Sequence, residues 1–322
     1  MIPVFFSVVA GVFGLAFGSF LNVCATRWPV GESVAAGRSR CRSCGRTLAW
    51  WENLPLVSWL LLRGRCRSCK AIIGWRYPLV ELAVAVLWAF AGGRVLAGSV
   101  DLALPLRALA YQLAIAAGLM IFLWLLTALA VLDAENLWLP DRLVWPGTAL
   151  GLMITLGGLT AQAGLGLTSG LPPSALPATM GMTAATGLAQ WLAAMGGPSG
   201  SLSARLWIAL VSPLLAAAPM LAIRWLYRLV RHREGLGLGD VKLMAMLAAW
   251  LGVAGAALAF FLGSILGALT ALALLARPRA QGEDAEWMRA KLPFGSFLCL
   301  GAAIGVFWGR PLIALYLRWA GL

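Results

Sequence analysis

Asp133 and Asp240 are the residues whose type and placement could do chemistry. Asp133 stands at the foot of a long apolar run, in Val131-Leu132-Asp133-Ala134-Glu135-Asn136, and Asp240 closes Gly235-Leu236-Gly237-Leu238-Gly239-Asp240 just ahead of another apolar segment. A carboxylate beside hydrocarbon is costly, which points to function. Two carboxylates brought close cannot both ionise easily, so one retains a proton. The charged one can then take a proton from water while the protonated one polarises a scissile carbonyl, and the titration belongs to the pair. Plainer readings exist: Asp133 as a helix-end charge at the interface, Asp240 as the N-cap of the span that follows. The three glycines before Asp240 favour function, since they permit close approach of an extended peptide. Asp141, after Pro140, is the rival partner, although its place before Leu143 suits capping. Glu135 is a weaker rival. His232, the only histidine, lies among arginines and is read as solvated, which leaves little material for a Ser-His-Asp or Cys-His mechanism.

A second constellation is Cys41-Arg42-Ser43-Cys44 and Cys66-Arg67-Ser68-Cys69, two C-x2-C knuckles with 21 residues between them. Four thiolates at about 2.3 Å satisfy tetrahedral Zn²⁺. Arg38, Arg40, Arg46, Arg63, Arg65 and Lys70 are expected to offset the negative charge of such a centre. Two disulfides are the alternative, disfavoured in a reducing cytoplasm. With Cys41, Cys44, Cys66 and Cys69 all bound, no position stays open for a catalytic water, so the ion folds the loop. Cys24 and Cys299 are read as small packing residues.

The elements that must position these groups are membrane helices. The chain is 61% hydrophobic and 11% charged, which excludes a soluble globule of 322 residues. Apolar stretches predict eight spans, near 3–26, 78–98, 104–132, 143–160, 205–230, 240–254, 256–276 and 294–319, with a short turn at Gly252–Gly255 between the sixth and seventh. The expected architecture is all-α and polytopic, with a first span at 1–26, a zinc-binding region at 27–77 and a helical domain at 78–322. The net charge is +13, and ten Arg/Lys against two acids fall in 27–77, with a second basic cluster at 224–242. The N-terminus lacks the basic start of a signal peptide. With both termini external, segments 27–77, 133–142, 231–239 and 277–293 face the cytoplasm and hold most of the Lys and Arg. Both aspartates then emerge on that face. The basic clusters can touch anionic lipid heads of the bilayer, and no recognised nucleic-acid module accompanies them, so nucleic acid is not expected as a partner. Residues 161–204, rich in Gly, Pro, Ser, Thr and Ala, are read as an external insertion. No internal repeat is evident.

Taken in order, further blocks complete a pattern. Gly18-Ser19-Phe20-Leu21-Asn22-Val23 and Arg27-Trp28-Pro29 precede the knuckles, and Asn53-Leu54-Pro55-Leu56-Val57-Ser58-Trp59-Leu60 lies between them. Arg76-Tyr77-Pro78-Leu79-Val80-Glu81, the Asp133 segment with Leu139-Pro140-Asp141, Gly237-Leu238-Gly239-Asp240-Val241-Lys242 and Leu292-Pro293-Phe294-Gly295 follow. Over nearly its whole length the chain resembles the bacterial type IV prepilin peptidases, the leader peptidase/N-methyltransferases of pilus and type II secretion systems.

That resemblance implies a GxGD-type aspartic peptidase of the inner membrane with Asp133 and Asp240 as the catalytic pair. Prepilins and pseudopilins are the implied substrates, cut at the cytoplasmic face, and S-adenosylmethionine is the implied methyl donor for the new N-terminal residue. No glycine-rich Rossmann loop accompanies the second activity. Asn22, Arg27 and Glu81 are the candidates for the methyl-donor site, with packing or pairing as the alternative for each. A cleavage-only peptidase, or a non-enzymatic scaffold using the zinc loop for docking, remains the competing reading. Three departures stand out: the 107-residue separation of the aspartates, the lead-in Trp50-Trp51-Glu52-Asn53, and Ser296 where a proline is common. The last two are not expected to touch the aspartate pair.

Overall fold

The computed structural model describes residues 2–35, 37–97, 106–164, 202–232, 237–276 and 292–321. Most of the 161–204 insertion and of the 277–293 segment lies outside them. The chain divides into two compact units, Met1–Ala128 and Leu129–Leu322.

Apolar runs this long have no water to satisfy their backbone, so helix is the form left to them. In the first unit α1 (Ile2–Arg27) packs along α3 (Arg76–Ala97), and α4 begins at Leu106. The α1–α3 contact rests on small residues. A Cβ on Gly14 would stand 2.7 Å from Ala85 Cα, and one on Gly18 would stand 2.6 Å from Glu81 Cα. Backbones approach this closely in lipid because packing, not hydrophobic burial, drives association there. The indole of Trp124 on α4 donates to Phe17 O at 3.0 Å.

Between α1 and α3 lies a small ribbon with one short helix, α2 (Val57–Leu61). Its extended pairing consists of two isolated bridges, Arg40 with Thr47 and Arg65 with Ile72. These bridges reveal an internal repeat, where none was expected. Cys41 N–H donates to Arg46 O and Gly45 N–H to Cys41 O; twenty-five positions later Cys66 N–H donates to Ala71 O and Lys70 N–H to Cys66 O. Gly45 and Lys70 occupy the same left-handed conformation, at φ 70° and 59°. The underlying sequence similarity, Cys-Arg-Ser-Cys followed by Trp50 or Trp75, is short enough to pass for two separate knuckles.

The second unit holds the end of α4 (Leu106–Asn136), then α5 (Asp141–Gly164), α6 (Leu202–Arg231), α7 (Leu238–Leu275) and α8 (Phe294–Trp319). The expected turn in α7 is a single residue: Gly252, at φ 72° and ψ 176°, breaks the helix and the next residue resumes it. The break frees carbonyls of the preceding turn, which would be costly in hydrocarbon. Hydroxyls from neighbouring helices satisfy two of them. Thr155 donates to Ala249 O at 2.9 Å and Ser212 to Ala248 O at 3.0 Å. Helices α7 and α8 cross at Gly263, whose Cβ would meet Leu298 at 3.1 Å, and at Gly301 against Ala259. Leu243, Met246, Leu247, Leu251 and Leu298 form the buried centre of the unit.

Among the described residues, five helices are long and apolar enough to cross a membrane: Val4–Val30, Leu113–Asn136, Asp141–Thr160, Leu202–Arg231 and Leu238–Leu275. Large apolar side chains left exposed on them, such as Phe5, Phe13, Leu214 and Phe261, suit contact with lipid. The protein is therefore an all-α membrane protein, as expected.

Candidate active site and metal centre

Asp133 lies in the last turn of α4. That helix closes when Leu137 adopts φ 50° and donates its N–H to Asp133 O at 2.8 Å. Leu139 and Pro140 then lead into α5. Asp240 is the third residue of α7; the N-cap position belongs to Gly237. The simple N-cap reading of Asp240 is thus not what the fold uses. Its Oδ2 instead lies back over the helix start, 3.3 Å from where a Cβ on Gly237 would stand.

Asp133 is buried, 5% exposed, and Asp240 is half-buried. The two are near enough for their charges to interact. Glycine makes the approach possible. A Cβ on Gly295, at the start of α8, would meet Leu139 Cδ1 at 2.9 Å and Asp133 Oδ2 at 3.0 Å. A Cβ on Gly239 would meet the Leu139 side chain at 3.2 Å. Leu139 therefore wedges between the first turns of α7 and α8, and Gly239 serves this packing directly.

Ser296 corrects the sequence reading. Its backbone N–H donates to Asp133 Oδ2 at 2.8 Å, and its hydroxyl lies 3.2 Å from the same oxygen and 2.8 Å from Ala130 O. The departure that was expected to stand clear of the pair is the residue that holds one member of it. Its only sequence signal was a hydroxyl in the first turn of a helix, directly after Phe294-Gly295.

The rivals fall elsewhere. Asp141 is the first residue of α5 and takes Lys242 Nζ at 2.7 and 2.9 Å on its two oxygens. Glu135 and His232 are exposed. Cys24 and Cys299 are buried, as packing residues should be.

In the first unit the four sulfurs of Cys41, Cys44, Cys66 and Cys69 lie within 4.8 Å of one another. Tetrahedral bonds of about 2.3 Å put sulfurs about 3.8 Å apart. The Cys41 and Cys69 sulfurs are 3.8 Å apart, so the donor set fits zinc. Amides of Cys69 and Ser68 push the Cys66 thiol down to about 6, and those of Cys44 and Ser43 lower Cys41, which favours the thiolate that a metal needs. Burial and the three facing sulfurs push Cys69 up to about 11. Of the surrounding cations, Arg46 is committed to Glu52 at 2.6 Å, and Arg67 stacks over Trp51 at 5.0 Å. Glu52 also accepts from Ala49 N–H at 2.8 Å, bracing the first knuckle against the turn that follows.

Asn22 and Glu81 come together where α1 meets α3. Asn22 donates to Tyr77 O at 3.0 Å, and Glu81 Oε2 accepts from Leu56 N–H at 2.7 Å, at a backbone with φ 57°. Arg27 reaches a different group, the carbonyls of Ser33, Val34, Gly37 and Arg38 at 3.1–3.4 Å.

An all-helical membrane protein with two interacting carboxylates at helix ends, and a four-cysteine ribbon in its other unit, is the class these features define. Residues 12–94 match the bacterial peptidase A24 N-terminal domain, and residues 120–272 match the type IV leader peptidase family. The chain belongs to that family. It is 32% identical to the prepilin leader peptidase/N-methyltransferase of Stutzerimonas stutzeri, over 99% of this chain and 96% of the relative. The proteins of the same name from Pseudomonas putida and Pseudomonas aeruginosa are also 32% identical, over 100% and 99% of this chain and 97% and 96% of theirs. No solved structure matches the chain.

Proposed function

We infer that the chain is a membrane aspartic peptidase that removes the leader of type IV prepilins and type II secretion pseudopilins and then N-methylates the new N-terminus. Asp133 and Asp240 are its cutting carboxylates. The observation that carries this is their convergence within one unit: Asp133 is buried, Leu139 packs against both Gly295 beside Asp133 and Gly239 beside Asp240, and Asp141 is tied to Lys242. The ionised carboxylate takes a proton from water as the water oxygen bonds to the peptide carbonyl carbon. The protonated one donates to the carbonyl oxygen. When the tetrahedral centre collapses, the departing nitrogen receives a proton from the pair, the C–N bond breaks, and the carboxyl product forms. The apolar helix of the prepilin supplies most of the binding, by packing within the bilayer.

Zinc on the four cysteines is a closed, structural centre that folds the ribbon and takes no part in cleavage. S-adenosylmethionine, when bound, supplies the methyl group of the second activity. Asn22, Arg27 and Glu81 are bonded to backbone, which suits shaping that site by fixing Tyr77, the carbonyls of Ser33, Val34, Gly37 and Arg38, and Leu56 better than direct contact with the donor. The placement proposed is the bacterial inner membrane, with the cysteines and both aspartates facing the cytoplasm and the termini outside, from the distribution of Arg and Lys.

Prepilin cleavage in membranes carrying equal amounts of Asp133→Asn, Asp240→Asn and Asp141→Asn tests the assignment. Loss in the first two with retention in the third is expected. An active Asp133→Asn beside an inactive Asp141→Asn would move the first carboxylate to Asp141.

A further inference from the structure

Ser296 is a residue that the assignment of two aspartates leaves without a task. It is 8% exposed, sits in the first turn of α8, and directs two donors toward one oxygen of Asp133. We propose that Ser296 is a positioning residue for cleavage, dividing the labour between the two oxygens of Asp133. Oδ2 is the anchor, and Oδ1 is the oxygen that exchanges the proton. The inference rests on the reading of Asp133 and Asp240 as the cutting pair.

The backbone N–H of Ser296 cannot turn, because its place is set by α8. It belongs to the first turn of the helix, where amides lack a full intrahelical partner, and Pro293 O at 3.2 Å shares it. At 2.8 Å from Oδ2 it makes that oxygen an acceptor whichever state the carboxyl is in. The proton is thereby directed to Oδ1.

The hydroxyl adds a second constraint. It carries one hydrogen and lies within reach of two acceptors, Ala130 O and Asp133 Oδ2. That one hydrogen is shared, nearer Ala130 O at 2.8 Å than Asp133 Oδ2 at 3.2 Å, and both acceptors belong to the last stretch of α4, so the hydroxyl keeps the carboxylate against its own helix. A carboxylate held at both points has lost the rotation that would let its oxygens exchange places. Proline at this position would offer neither donor, so the device belongs to chains with serine or threonine here. Gly295 completes it, since a Cβ there would stand 3.0 Å from the anchored oxygen.

The test compares purified Ser296→Ala and Ser296→Thr with wild type for kcat and KM on a prepilin, alongside Asp133→Asn and Asp240→Asn. Alanine keeps the amide but loses the hydroxyl. It should lower kcat about tenfold with KM unchanged, as expected for a charge-assisted hydrogen bond that orients a reacting group. Threonine keeps both donors and should recover most of the lost kcat. A purely structural role would instead lower the thermal midpoint of Ser296→Ala and leave the kcat of its folded fraction at the wild-type value, which would overturn the proposal. So would wild-type kinetics in Ser296→Ala, or a Ser296→Thr as impaired as alanine. If the two asparagine variants are inactive while Ser296→Ala is normal, only this inference fails; if they cleave, the reading beneath it fails as well.

Discussion

The ribbon and the aspartate site hold their reactive atoms by opposite means. Each pair of cysteines is fixed by a hairpin of a few residues, with amides at set offsets pointing at the sulfurs, and two of the four cysteines are exposed. Little apolar burial supports the arrangement, so a bound ion must supply its cohesion. Asp133 is held from a distance, by the first turn of α8, and Asp240 rides on the start of α7, with Leu139 wedged between Gly239 and Gly295. There packing supplies the cohesion, and the free groups stay free to exchange protons. A site built to bind and a site built to react thus differ in whether the ligand or the fold completes them.

That contrast can be broken first at the metal. Cys66→Ser, or prolonged chelation, should abolish stoichiometric zinc and expose residues 38–75 to protease, while prepilin cleavage stays within about threefold of wild type because a closed four-thiolate centre takes no part in it. Metal analysis and a cleavage assay on one preparation check both halves. Gly295→Ala should do the reverse. Its Cβ would lie 3.0 Å from Asp133 Oδ2 and 2.9 Å from Leu139, and kcat should fall by about a hundredfold, the cost of misplacing a reacting group by a fraction of its radius, with zinc content unchanged.

A smaller effect is expected away from both sites. Gly252 holds φ 72° and ψ 176°, a conformation open to little but glycine, so Gly252→Ala should cost about 1–3 kcal/mol, read as a lower thermal midpoint in detergent. The smallest concerns Glu52, whose carboxyl is held below the usual range by Arg46 first and by the Ala49 amide second. A lowered folded value means the contribution is complete above the ordinary carboxylate range and is lost as pH falls through the lowered value. Glu52→Gln should therefore make the ribbon more protease-sensitive than wild type at neutral pH, and the difference should vanish in acid.

The same contrast explains what the sequence could disclose. The knuckles and the GxGD turn are local: their chemistry is written within six consecutive residues. The all-helical membrane character was legible because each long apolar run must satisfy its own backbone. Among the described residues five helices have the length and hydropathy to span, and the sixth and seventh runs lie in one helix broken at Gly252. Ser296 was not legible, since 163 positions separate it from Asp133 and nothing local marks a serine in a helix's first turn as aimed at a carboxylate. Gly239 reads locally as room for a peptide, since Leu139, the side chain it makes room for, lies a hundred positions away in sequence. The ribbon's repeat was hidden for another reason: it is carried by matched backbone hydrogen bonds and by a left-handed position held once by Gly45 and once by Lys70.

The most direct measurement is single-turnover cleavage of a prepilin by purified wild type, Asp133→Asn and Asp240→Asn, with zinc measured in each sample. Both variants should carry the same zinc as wild type and cleave at least about a thousandfold more slowly, the scale set by loss of a general acid or base. A folded, zinc-loaded variant of either aspartate that cuts at the wild-type rate would contradict the assignment of the pair.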